Sequence, residues 1–147
     1  MDDRALLIAT PQDGAPYAGL SGLTCKISSA DTSGAFTVLE LRLAPGEGAP
    51  LHVHQHEDEL VYVRDGACTV AQQGREWSAP AGSLVVFPRN TAHAFRNTGG
   101  EPCTLLITAI PGGLDRYFAE VSEALLAQQP ERVAAINERY GITFLPA

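Results

Sequence analysis

Between residues 20 and 110 the apolar residues fall in short runs, broken at close intervals by glycine, proline and polar pairs. Runs at 35–43, 60–64, 67–72, 83–87, 92–96 and 103–110 have the length of strands. The breaks at Pro45-Gly46, Asp65-Gly66, Gly74, Pro80-Ala81-Gly82 and Gly99-Gly100 suit tight connections. Many short strands at near-regular spacing predict an antiparallel sandwich or barrel. Beyond Pro111-Gly112-Gly113 the period lengthens. Leu114, Tyr117, Phe118, Val121 and Leu125 recur at helical spacing, as do Val133, Ile136 and Tyr140. Pro130 suits a first helical turn and Gly141 a helix end, and the closing Ile142-Thr143-Phe144-Leu145 should pack back on the body. Before residue 20, Pro11, Gly14, Pro16 and Gly19 prevent a long regular element. The expected class is mainly β: an antiparallel barrel over about 20–110 carrying a helical pair over about 111–147, within one domain of residues 1–147.

Composition narrows the setting. A chain of 147 residues, 45% hydrophobic, can bury a substantial core without staples. The formal charge of −7 argues against a nucleic-acid partner, because phosphate binding needs clustered Lys and Arg. No apolar run approaches the ~20 residues of a spanning helix. The start, Met-Asp-Asp-Arg, is acidic where a secretory leader is basic. Cys25, Cys68 and Cys103 are odd in number, far apart and set in apolar surroundings, so they read as free thiols of a cytoplasmic protein.

The chemistry concentrates in two stretches that hold all four histidines. His52 and His54, at i and i+2 on an extended strand, project from one face. Glu59 follows five residues later, and His93 opens a later strand, so the four can close on one point. Three imidazoles and a carboxylate suit one divalent transition metal: Fe, Mn, Ni, Co, Cu or Zn. An unligated pair of histidines inside a barrel would be costly to desolvate, and a buried carboxylate needs a cation. Strand alternation places Val61 and Val63 on the face of Glu59 and Phe95 on that of His93, so these three should line a substrate pocket. Tyr62 should pack outside. His56 reads as a solvated loop histidine, and Glu57 and Asp58 as solvent-facing. Glu40 and Arg42 read as a surface strand face, and Trp77 is open between pocket and packing.

The spacing resembles the two signature motifs of the cupin superfamily. Gly46, His52, His54, Glu59 and Gly66 fill the first. Gly82, Pro88, His93 and Asn97 fill the second, with Asn90 where the family has glycine, a mild departure because Asn tolerates positive φ. The flanks are similar to the small single-domain bacterial cupins likened to quercetin dioxygenases. The resemblance implies a jelly roll, a metal held by His52, His54, Glu59 and His93, and a small-molecule substrate. With one carboxylate, a dication there keeps a formal positive charge and attracts an oxyanion, while an octahedral ion keeps two positions open. The leading expectation is a dioxygenase acting on an enol, flavonol or diketone-like substrate, with Glu59 as ligand or as catalytic base. A redox-neutral isomerase, lyase or cyclase, and a non-catalytic binding protein, are the alternatives. Open sheet edges imply a homodimer, with residues 6–10 adding a strand to a neighbour.

Overall fold

A computed structural model of the chain describes residues 5–146. Eleven strands and two helices follow in the order β1 (Ala15–Pro16), β2 (Leu23–Ile27), β3 (Thr37–Leu43), β4 (Gly48–His54), β5 (Asp58–Asp65), β6 (Ala67–Gln72), β7 (Arg75–Pro80), β8 (Leu84–Phe87), β9 (His93–Arg96), β10 (Cys103–Ile110), α1 (Leu114–Leu126), α2 (Pro130–Tyr140) and β11 (Ile142–Phe144). They form two antiparallel sheets, ordered β1-β2-β3-β10-β5-β8 and β11-β4-β9-β6-β7. This is a jelly-roll sandwich with two C-terminal helices.

Alternation decides what each strand buries. In β5, Glu59, Val61 and Val63 face inward while Leu60, Tyr62 and Arg64 face out. In β3, Thr37, Leu39 and Leu43 are buried, and Glu40 lies outside, paired with Arg64 at 3.0 Å. The core between the sheets is built from Leu39, Val61, Val63, Phe87, Phe95, Leu105 and Ile107. Cys25, Cys68 and Cys103 are free thiols buried in that core. Burial pushes the Cys68 thiol up to about 12, which keeps it protonated and unreactive.

The C-terminal segment returns to the sandwich through two anchors. At the first turn of α1, Asp115 accepts hydrogen bonds from Ser29 N (3.1 Å), Ser29 Oγ (3.0 Å) and Thr37 Oγ1 (2.9 Å), all buried. Gly141 ends α2 in the left-handed conformation, φ 69°, and turns the chain into β11. A Cβ at Gly141 would meet the exposed His56 ring tip at 2.7 Å, which can swing aside, so the left-handed conformation is what favours glycine there. β11 then pairs with β4, setting Ile142 opposite His54 and Phe144 opposite His52. Residues 6–10 form no strand, and Leu6 is 88% exposed. Among the described residues no helix is long and apolar enough to cross a membrane.

Candidate metal centre

β4 and β9 are neighbours in one sheet, and their register sets His52 against His93. His54 faces the same way two residues further along β4. Glu59 arrives from β5 in the opposite sheet, one short turn later. Ligand atoms from His52, His54, Glu59 and His93 all lie within 4.8 Å of one another, and all four residues are buried. His93 Nε2 is 3.0 Å from Glu59 Oε2, and His54 Nε2 is 3.5 Å from Glu59 Oε1.

The outer nitrogens decide whether this cluster suits a cation. His52 Nδ1 donates to Pro50 O at 2.7 Å, and His93 Nδ1 to Thr91 O at 3.2 Å. His54 Nδ1 donates to Glu57 Oε2 at 3.3 Å. Each donor role fixes the tautomer that leaves the Nε2 lone pair free, as a ligating imidazole requires. Burial pushes His52 down to about 4, against the opposing Pro50 carbonyl, so at neutral pH it is the uncharged ligand form. Burial also pushes His54 down, but the hydrogen bond to Glu57 and the charges of Glu59 and Glu57 outweigh it and leave the ring above its ordinary value. Burial raises Glu59, and the hydrogen bond to His93 with the nearby His54 outweighs that, holding the carboxyl below its usual range. Three imidazole nitrogens and a carboxylate fit a divalent transition ion.

The centre opens on a cavity of about 390 Å³. Leu39, Leu41, Phe95 and Ile107 from the sheets, Leu114, Tyr117 and Phe118 from α1, and Ile142 and Phe144 from β11 supply its apolar walls. His52, His54 and Glu59 reach its surface, and among the described residues no Lys or Arg lines it. The Tyr117 hydroxyl donates to Asn137 Oδ1 at 2.6 Å, which ties the wall to α2.

Phe95 lies on this wall and is 6% exposed. Val61 and Val63 share the face of Glu59 but continue β5 past the residues that line the cavity, and at 2% and 0% exposed they are core. Tyr62 and His56 are solvent-exposed, and Trp77 sits half-exposed on the edge strand β7, away from this cavity. Asp58 is partly exposed and paired with Arg89 at 3.2 Å. Asn97 is structural: its amide nitrogen donates to Leu43 O and Glu101 O, and its oxygen accepts from Gly99 N. Asn90 takes φ 62°, as a glycine there would, and its N–H donates to His54 O at 2.7 Å.

Glu57 corrects the expectation of a solvent-facing side chain, because it is 6% exposed and folded back onto His54. Phe87 is a further omission. Its ring stacks on His93 at 4.0 Å and 9°, closing that ligand's outer side. Strand alternation pairs Phe87 with Glu59 across β5–β8, but only the fold reveals the stacking.

Residues 39–109 match the cupin domain family. That stretch runs from β3 to β10 and contains the whole His52–His54–Glu59–His93 cluster. The chain is similar to protein SchB of Streptomyces halstedii, 37% identical over 75 residues, 51% of this chain and 53% of SchB. It thus spans about half the length of the curated relatives it matches. Its fold is similar to a predicted oxalate decarboxylase of Thermotoga maritima, with TM-score 0.61 and 20% identity over 73% of this chain and 99% of that one. It is also similar to a cupin-superfamily sugar phosphate isomerase of Silicibacter pomeroyi, with TM-score 0.53 and 27% identity over 66% of this chain and 68% of that one.

Proposed function

We propose that this chain is a metal-dependent cupin oxidoreductase, a dioxygenase of the quercetin dioxygenase-like kind, acting in the cytoplasm as a homodimer on a small enol, flavonol or diketone-like compound. The observation that carries this reading is a buried three-histidine, one-carboxylate cluster opening on an aromatic and aliphatic cavity that no Lys or Arg lines among the described residues. His52, His54, Glu59 and His93 would hold the ion, which supplies Lewis acidity toward a substrate oxyanion and, for a redox-active metal, a partner for O₂. The apolar walls orient a flat substrate and exclude bulk water. Glu59 reaches the cavity surface with a carboxyl held in its ionised form, so it can take the proton of an enol or phenol as the substrate settles.

A redox-neutral isomerase or cyclase is the second reading, prompted by the Silicibacter pomeroyi relative. A sugar phosphate does not suit this cavity, because among the described residues no Lys or Arg lines it to receive the phosphate.

The test begins with metal. Protein purified without a chelating column is expected to carry close to one transition metal per chain, and His54→Ala to lose most of it. Turnover of flavonol and diketone probes by the loaded protein is then compared in air and under nitrogen. Activity lost without O₂ supports the dioxygenase, and activity indifferent to O₂ selects the redox-neutral reading. Metal-saturated Glu59→Gln should fall by roughly 10²–10⁴-fold if Glu59 is the base. Turnover equal to the parent would reduce it to a ligand.

A further inference from the structure

The three ligand histidines are not held alike. Pro50 O and Thr91 O, which receive the Nδ1–H groups of His52 and His93, are neutral carbonyls two residues back along the chain. The Nδ1–H of His54 meets a buried carboxylate instead, Glu57. The local fold enforces this. Residues 55–57 form the short turn between β4 and β5, and both flanks are pinned. Gln55 N donates to Gly141 O at 2.9 Å and Asn90 N to His54 O at 2.7 Å. On the far side Asp58 accepts from Arg89 N at 2.9 Å and from its guanidinium at 3.2 Å. With the turn clamped, His56 points to solvent and Glu57 folds over His54.

We propose that Glu57 is a positioning residue of the centre, one that also sets the charge of the substrate it accepts. The inference rests on the metal-binding reading above. Glu57 holds His54 in the tautomer that presents Nε2, and a carboxylate behind an imidazole strengthens it as a donor. It also changes the electrostatics. A dication beside Glu59 alone keeps one positive charge, whereas Glu59 and Glu57 together make the centre formally neutral. Among the described residues no Lys or Arg lines the cavity to restore an attraction for anions. The substrate class that fits is therefore a small apolar molecule that enters uncharged and gives up its proton only inside the site.

The experiment uses the full chain loaded with Co²⁺, as parent, Glu57→Gln and Glu57→Ala. Co²⁺ affinity is measured by competition with a chelator, azide affinity from the visible spectrum of the bound ion, and the melting temperature on metal-free protein. Glu57→Ala is expected to weaken Co²⁺ binding by about 10–100-fold, the usual cost of losing such a partner. Glu57→Gln should weaken it less, because its amide oxygen still accepts from Nδ1–H, and its near-identical shape keeps the test open if the Ala variant does not fold. Both loaded variants should bind azide about tenfold more tightly than the parent, since one negative charge has gone from beside the ion. Parent-like Co²⁺ and azide affinities in both variants would overturn the proposal. So would a lower metal-free melting temperature with unchanged Co²⁺ affinity, which assigns Glu57 to the turn alone. Weaker Co²⁺ binding with unchanged azide affinity would overturn the charge assignment and keep the positioning role. A parent chain that binds no Co²⁺ would defeat the metal reading itself, an outcome distinct from variants that match a metal-binding parent.

Discussion

Asp115 is the most demanding test of how the helices are held over the cavity. Its carboxylate sits at 9% exposure in the first turn of α1 and takes three hydrogen bonds from β-sandwich residues that are themselves buried: two from Ser29, 2% exposed, and one from Thr37, 0% exposed. Thr37 Oγ1 in turn accepts from Gly113 N at 3.2 Å, and Asp115 O accepts from the Tyr17 hydroxyl at 2.9 Å. Asp115→Ala removes the acceptor and leaves the Ser29 and Thr37 donors buried without it. Hydrogen bonds to a charged group contribute about 1.5–3 kcal/mol each, and the three will not add fully because they share one carboxylate. A water entering the vacated space recovers part of the loss. The expected cost is therefore about 3–5 kcal/mol, in the range seen when a buried charged network is broken. For a chain of this size each kcal/mol moves the melting temperature by about 2–4 °C, so a fall on the order of 10 °C should appear in calorimetry.

The same group gives a pH signature. Burial raises the Asp115 carboxyl, but the hydrogen bonds from Ser29 and Thr37 outweigh it and hold the group below its ordinary value. A depressed folded value means the stabilisation is fully present above the unfolded value, near ~3.9, and is lost as pH falls through the folded one. Asp115→Asn should therefore flatten the acid limb of the stability curve below about pH 4, where the parent falls away. The candidate metal ligands stand on strands rather than on α1, so metal content should be unchanged in both variants. A melting temperature within 2 °C of the parent in Asp115→Ala, roughly the effect of a single exposed contact, would refute the network's role.

Two further outcomes are expected. Truncation after Gly113 removes Leu114, Tyr117, Val121, Ile136 and Ile142 from the buried set, each worth ~1.5–3 kcal/mol, and strips β11 from the ligand strand. It should aggregate or melt far below the full chain, and an unchanged melting temperature by calorimetry would show the helices to be a loose appendage. Self-association is expected from the sheet-edge strand β8, with Leu84 69% and Val86 63% exposed, together with the exposed Leu6 and Ile8. Light scattering at micromolar concentration should report a dimer mass, and a monomer mass would refute it.

What could be read from the chain, and what could not, divides along a physical line. Runs 67–72 and 103–110 coincide with β6 and β10 because they are short, largely apolar and bounded by turn residues at both ends. Pro130 opens α2 and Gly141 closes it, as their backbone preferences require. β7 escaped the pattern because an edge strand exposed at five of its six positions has no apolar face to display. The candidate ligand quartet was legible because period 2 sets His52 and His54 on one face and the spacing of the two motifs adds Glu59 and His93. Glu57 was not, since it lies in a turn, where no period operates. Its direction is set by hydrogen bonds to Gly141 and Asn90, respectively 86 and 36 positions from the residues they hold. The cavity walls from α1 and β11 were hidden for the same reason. The apolar stripe of Leu114, Tyr117 and Phe118 announces that it must be buried but not against what, and only the buried carboxylate of Asp115 and the β11–β4 pairing direct it over the metal ligands. Chemistry carried by regular strands is thus written locally. The surroundings that tune it depend on contacts between distant segments, and Glu57 and Asp115 are the two side chains on which that dependence can be measured.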